Sequence, residues 1–241
     1  MRRKGFTLIE LLVVIAIIAL LVSILAPSVV HIKDIVKQLI CASGMRQIGI
    51  GWANYTKTHG GMIVGGCSYR PFDWVRYEFD AAGNPTTDPA ADGALYPYVG
   101  RTEVYKCTNP IYPEYPISYS VTGTLNGTLW WEVVKRCWDR LPAVTHPDQT
   151  LMLIEEDDMR GFNMGSWVIR PDAWSDFVAG NHMGGDNVVF ADGRVEYWKW
   201  QDPRTLTMPY HIYGPGWPAD GSVDHRRLWD GWIGLDQNLP Y

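Results

Sequence analysis

The sequence predicts an α+β chain, a long N-terminal helix that is transmembrane in its first half and packs on a β-rich, loop-rich C-terminal head. Three observations carry that expectation. The first is the run from Phe6 to Ala26, 21 residues in which only Thr7, Glu10 and Ser23 are polar, against the roughly 20 that cross a bilayer as a helix. The second is the amphipathic pattern beyond Pro27. Val29, Ile32, Val36, Leu39, Ile40, Ile48, Trp52 and Tyr55 recur at three- to four-residue spacing, with Lys33, Asp34, Lys37, Gln38 and Gln47 in the gaps. The third is a set of short apolar segments bounded by turn residues from Met62 onward.

Arg2, Arg3 and Lys4 precede the apolar run, which by the positive-inside tendency holds the N-terminus in the cytoplasm and the rest outside. A cleaved secretory signal is the plainest reading of such a start. Three features oppose it. The run is longer than the usual apolar region of about 7–15 residues. Its only small-residue exit, Ser23-Ile24-Leu25-Ala26, is followed directly by Pro27. Most tellingly, it holds Glu10, and an ionisable group within a membrane costs a few kcal/mol unless it finds a partner. A cut between Gly5 and Phe6 would create that partner, because the new α-amine on Phe6 of one copy could meet Glu10 of the next. An uncleaved anchor with an incidental Glu10 is the alternative.

Lys4-Gly5-Phe6-Thr7-Leu8-Ile9-Glu10 resembles the class III signal of type IV pilins and pseudopilins. The resemblance implies that a prepilin peptidase cuts after Gly5 and methylates Phe6. It implies that Glu10 guides subunit packing, and that Pro27 marks the helix kink. The partners it implies are that peptidase/methyltransferase, other copies or related pilins through the N-terminal helix, and a type IV pilus or type II secretion assembly machinery. The implied location is the cytoplasmic (inner) membrane, single-pass with the head outside, and then a pilus or pseudopilus.

The chain accordingly divides into a leader (residues 1–5), a helix over 6–59 whose transmembrane segment is 6–26, and a head over 62–241. Gly44, Gly49 and Gly51 weaken the helix, and Gly60-Gly61 stops it. In the head, residues 84–93 form a turn-rich cluster. Strands are expected at Glu103–Cys107, Ser118–Thr122, Leu151–Glu155, Asn187–Ala191 and Arg194–Trp200, while Thr128–Trp138 suits strand or helix. Asp192-Gly193 signals a two-residue hairpin turn of type I′. Pro and Gly crowd the tail from Pro203 to Pro240, which predicts an irregular segment laid over the head.

The net charge is −5 and no basic stripe follows Arg46, which argues against nucleic-acid binding. Cys41, Cys67, Cys107 and Cys137 include no Cys-x-x-Cys pair, so a zinc ribbon or redox motif is not indicated. A head outside the cytoplasmic membrane makes two disulfides the natural expectation, with three pairings open.

His182 is followed by nine residues and then Asp192-Gly193. With the pilin-like start, this resembles a group of pilin-like proteins with an H-X9-DG C-terminal motif, whose role is undefined. Cys41 with Met45-Arg46-Gln47-Ile48-Gly49 is similar to that group's Cys…Leu-Arg-Gln-Ile-Gly stretch, and Val104-Tyr105-Lys106-Cys107 to its segment ending in Cys-Pro, where this chain has Thr108. A turn at Asp192-Gly193, with His182 hydrogen-bonding towards it or Asp186, is the structural reading. The run Glu155-Glu156-Asp157-Asp158 with Asp186 and Asp192, above all the four aspartates, could instead supply oxygens to calcium, although their spacing matches no known calcium loop. No other cofactor is expected.

Enzymatic motifs are absent: no Gly-x-Ser-x-Gly elbow, no His-Glu-x-x-His and no phosphate-cradling glycine loop. Twelve Trp and thirteen Tyr point to an aromatic core, with a glycan-stacking surface around Trp130, Trp131, Trp138, Trp167, Trp198 and Trp200 as the alternative. The sequence therefore favours a non-enzymatic prepilin-like precursor. The second reading is a membrane-anchored cell-surface module that recognises glycans, and a secreted hydrolase ranks third.

Overall fold

A computed structural model describes residues 6–82, 85–126, 137–158, 163–207 and 217–232. Helix α1 (Leu8–Thr58) is 51 residues long, about 76 Å at 1.5 Å per residue. Thr7 caps it: Thr7 Oγ1 accepts from Glu10 N at 3.4 Å, and Thr7 N donates to Glu10 Oε2 at 2.8 Å. Thr7-x-x-Glu10 is thus a capping box, a signal the apolar surroundings disguised. The helix continues through Pro27, which has no N–H to give to the carbonyl of Ser23.

The two halves of α1 differ sharply. From Leu8 to Ile32 its large apolar side chains expose 45–81% of their surface, and this is a helix long and apolar enough to cross a membrane. From Cys41 onward one face is buried, through Cys41, Gly44, Met45, Ile48, Gly49, Trp52 and Tyr55.

The head follows as α2 (Tyr96–Val99), β1 (Tyr119–Thr122), β2 (Leu151–Asp157), β3 (Ser166–Trp167), β4 (Ala173–Trp174), β5 (Phe177–Val178), β6 (Gly185–Phe190), β7 (Val195–Lys199), β8 (Trp217–Pro218) and α3 (Val223–Trp232). The main sheet has the order β3-β1-β2-β6-β7, with β5 added at the end of β2 and β4 pairing β8 apart from it. Among the described residues of the main sheet, β1 and β3 run parallel and the other pairs are antiparallel.

Strands β1, β2 and β6 are buried along nearly their whole length, because both sheet faces are covered. Alternate residues point to opposite faces. Tyr119, Val121, Leu153 and Val189 join Met45, Ile48 and Trp52 of α1 in one core. Ile154, Val188 and Phe190 join Leu228, Trp229 and Trp232 of α3 in the other. The order of layers is helix α1, sheet, helix α3.

Strands appear at 118–122, 151–155, 187–191 and 194–200 within a residue or two of expectation. Three expectations are corrected. Glu103–Cys107 is not a strand: Glu103–Tyr105 is a 3₁₀ turn that presses Val104 onto α1, where a Cβ on Gly44 would lie 3.2 Å from the Val104 carbonyl oxygen. The tail is not irregular between 223 and 232, since α3 forms there and buries Leu228, Trp229 and Trp232. Asp224 in its first turn holds the chain before it, accepting from Gln201 N, Asp202 N and Thr205 Oγ1 at 2.8–2.9 Å through Oδ2. The Asp192-Gly193 turn is not a two-residue loop. Gly193 N donates to Phe190 O at 2.8 Å and Phe190 N to Arg194 O at 2.9 Å, and Gly193 alone in the turn has a positive φ, +86°. That is a wider turn closed by a glycine bulge. Of the segment Thr128–Trp138, residues 128–136 lie outside the described ones, and Trp138 makes an isolated bridge to Leu125.

Trp52 is 1% exposed and joins helix to sheet. Trp52→Ala should destabilise the folded head by about 3–5 kcal/mol, measured by denaturant unfolding of a chain that begins at Ser28; a loss under 1 kcal/mol would show that helix and head do not share a core.

Candidate functional site

Two regions hold the residues singled out in the sequence. At the N-terminus Gly5 lies outside the described residues, and Phe6 is 71% exposed. Glu10 is exposed as well, its Oε2 accepting from Thr7 N and from Thr7 Oγ1 at 2.7 Å. Pro27 lies within the exposed half of the helix.

The second region is internal and assembles pieces distant in sequence. Cys41 comes from α1, Cys107 from the loop after the 3₁₀ turn, Glu155 from β2 and His182 from the turn entering β6. All four are buried, and one donor atom from each lies within 4.8 Å of all the others. Cys41 Sγ is 3.1 Å from Cys107 Sγ. His182 Nε2 is 3.3 Å from Cys107 Sγ and 3.3 Å from Glu155 Oε1.

The sheet geometry explains the convergence. Glu155 shares a face of β2 with Leu153, and Asn187 shares a face of β6 with Val189, so both turn toward α1. Asn187 Nδ2 donates to Glu155 Oε1 at 3.2 Å and to Gln38 O of α1 at 3.2 Å. Asn181 Nδ2 holds Glu155 Oε2 at 3.3 Å. Backbone N–H groups address both sulfurs, Thr108 N to Cys41 at 3.0 Å and Asn109 N to Cys107 at 3.3 Å.

The electrostatics follow from this crowding. The hydrogen bond with Cys107 pulls the Cys41 thiol down to about 4 against its burial, aided by His182 and Thr108. The same sulfur contact, with burial and the nearby Glu155, pushes Cys107 far up. Burial opposes the charge on His182, but its bonds to Cys41 and Glu155 outweigh burial and raise it to about 10.

Cys41 and Cys107 are not joined by a disulfide in this structure. The Cys41–Cys107 separation exceeds a disulfide bond of about 2.05 Å, and His182 and Glu155 share the space around the two sulfurs. Cys67 is buried and Cys137 partly so.

His182 and Asp192 do not meet. They lie beyond opposite ends of the six-residue strand β6, roughly 20 Å of strand at 3.4 Å per residue. Each end touches α1 instead. His182 meets Cys41's cluster, while the Gly193 turn lies against Gly49, where an added Cβ would stand 3.5 Å from Gly193 Cα. Nor do the four aspartates considered for calcium gather into one site among the described residues. Asp186 faces the other core and accepts from Gly180 N, Asn181 N and Trp200 Nε1 at 2.7–3.0 Å; burial, with Glu155 nearby, raises its pKa well above normal. Asp157 accepts from Tyr112 Oη, Asp158 from Met164 N and Asp192 from Arg194 N.

Trp167, Trp198 and Trp200 are buried, and Arg227 covers the ring of Trp198 at 3.7 Å. These aromatics build core. Trp130 and Trp131 lie outside the described residues, and Trp138 is half-buried.

Residues 1–26 match the family model for the prokaryotic N-terminal methylation motif. That span ends where the apolar run ends, and it contains Gly5, Phe6 and Glu10. No curated protein and no solved structure matches the chain. The sequence singles out the N-terminal residues, His182 and, as one of a run of acids, Glu155, but nothing in it joins Glu155 to His182. It also keeps Cys41 and Cys107 apart from His182, since no short spacing links them.

The Gly193 turn tests the hairpin directly. Gly193→Ala should cost about 1–2 kcal/mol through the positive φ alone, because nothing lies within 4 Å of an added Cβ. Gly193→Asn should lose less, since Asn tolerates that conformation. Equal losses in thermal unfolding would contradict this account of the turn.

Proposed function

We propose that the chain is the precursor of a pilin-like filament subunit, of the type IV pilus or of a type II secretion-type pseudopilus. A prepilin peptidase would remove residues 1–5 and methylate Phe6, leaving a membrane-held subunit whose head lies outside the cytoplasmic membrane. The observation that carries this reading is the division of α1. Its first half, matched to the methylation motif, exposes apolar side chains all round, while the second half is built into the head. A helix apolar on every side needs a membrane or like neighbours around it.

Assembly then exchanges lipid contact for helix contact, and Glu10 sets the stagger. In the single chain its carboxyl group has Thr7 as partner. In a bundle of such helices the α-amine of a neighbouring Phe6 would supply the opposite charge. A wrong stagger leaves a charge unpaired in an apolar environment, at several kcal/mol, so register is selected by the cost of errors. The reading assigns no catalytic residue to the chain.

Intact mass after expression with and without a prepilin peptidase tests the processing. The expected product lacks residues 1–5 and carries one added methyl group; an unprocessed chain, where a control pilin is cut, would sink the proposal. Glu10→Ala should abolish filament incorporation while the head's unfolding midpoint stays unchanged, its free energy within about 0.5 kcal/mol. Normal incorporation of that variant would remove Glu10 from assembly.

A further inference from the structure

The cluster of Cys41, Cys107, Glu155 and His182 is more than a set of buried polar groups that happen to touch. A packed interior admits two sulfurs as small apolar residues, but it does not ordinarily bring an imidazole and a carboxyl group to the same point. All four are 3% exposed or less, and their donor atoms converge from four separate segments. We infer that they form a closed, four-coordinate site for a zinc-type divalent ion, which fastens α1 to the head.

Donor chemistry selects the metal class. Two thiolates and an imidazole suit zinc and other borderline or soft ions, whereas calcium and magnesium take oxygen ligands. Distances agree. Bonds of about 2.3 Å to sulfur and 2.0–2.2 Å to nitrogen or oxygen give tetrahedral donor–donor edges of about 3.3–3.8 Å. The His182–Glu155 edge, 3.3 Å, and the His182–Cys107 edge, 3.3 Å, fall at the lower end of this range. The sulfurs at 3.1 Å would part by about 0.7 Å to bind zinc, against closing by about 1 Å to form a disulfide.

The surroundings match a metal centre as well. Thr108 N and Asn109 N aim at the sulfurs, which stabilises thiolates. Asn187 and Asn181 hold the two oxygens of Glu155, fixing the ligand's orientation as an outer shell does. With all four positions taken by protein, the site leaves none for water or substrate, which makes it structural and not catalytic. A disulfide between Cys41 and Cys107 would use the sulfurs alone and leave the placement of His182 and Glu155 without a purpose.

The test is elemental analysis of the full chain, exported by its host and purified in detergent without chelator, together with the oxidation state of its cysteines. The inference expects about one zinc per chain, Cys41 and Cys107 reduced, and loss of the metal in His182→Ala and in Cys107→Ser. Should those variants fail to fold, Co²⁺ added to the metal-stripped wild-type chain keeps the question open to measurement: a tetrahedral visible spectrum with sulfur-to-cobalt charge transfer is expected. A Cys41–Cys107 disulfide in the purified chain, a zinc content unchanged by folded variants, or a cobalt spectrum without sulfur charge transfer would each overturn it.

Discussion

The structure depends on the burial of one face of α1, from Cys41 to Thr56, against the sheet. Met45, Ile48 and Trp52 are each 1% exposed or less and share a core with Leu153 and Val189. Burying side chains of this size is worth about 1.5–3 kcal/mol each, a large share of the 5–15 kcal/mol by which a domain is stable. In packing terms the head begins at Cys41, not at Met62. The close approach explains residues that looked like flaws in the helix. A Cβ on Gly51 would stand 2.5 Å from Val99 Cγ2, so the glycine admits α2 where any side chain would push it away.

From that docking follows the rest of the arrangement. β6 lies across α1 and touches it at both ends, with His182 near Cys41 and the Gly193 turn near Gly49. Eight residues of helix, about 12 Å, separate those two points. Polar clasps reinforce the same seam: Gln38 Nε2 donates to Asn187 Oδ1 at 2.6 Å, and Thr108 Oγ1 to Lys37 O at 3.2 Å. A helix gripped so firmly over its second half presents its first half as a projecting apolar rod. His182 and Gly193 thus lie against α1 at two separate points and not against each other.

The long helix was legible because period 3.6 persists over dozens of residues and Gly60-Gly61 ends it. Strands β2 and β6 were legible as short apolar runs, yet burial on both faces erased the alternation that would have told which side of each meets α1. Hence Glu155 read as one of four consecutive acids, and its approach to His182 was invisible. The register that joins Ile154 to Val188 is a long-range fact. Helix α3 escaped because Arg226, Arg227 and Asp230 and the glycines near it mask its buried stripe of Leu228, Trp229 and Trp232. Val104 and Tyr105 looked like strand residues but bury themselves in a 3₁₀ turn, where packing on α1 prevails over local propensity.

Amide hydrogen exchange along α1, in a chain that begins at Ser28, tests the shared core most directly. If the helix is part of the head, amides from Met45 to Trp52 will open only with global unfolding and exchange as slowly as those of β2 and β6. Exchange in that stretch many-fold faster than in the sheet would mean that the helix frays independently, and that the head stands without it.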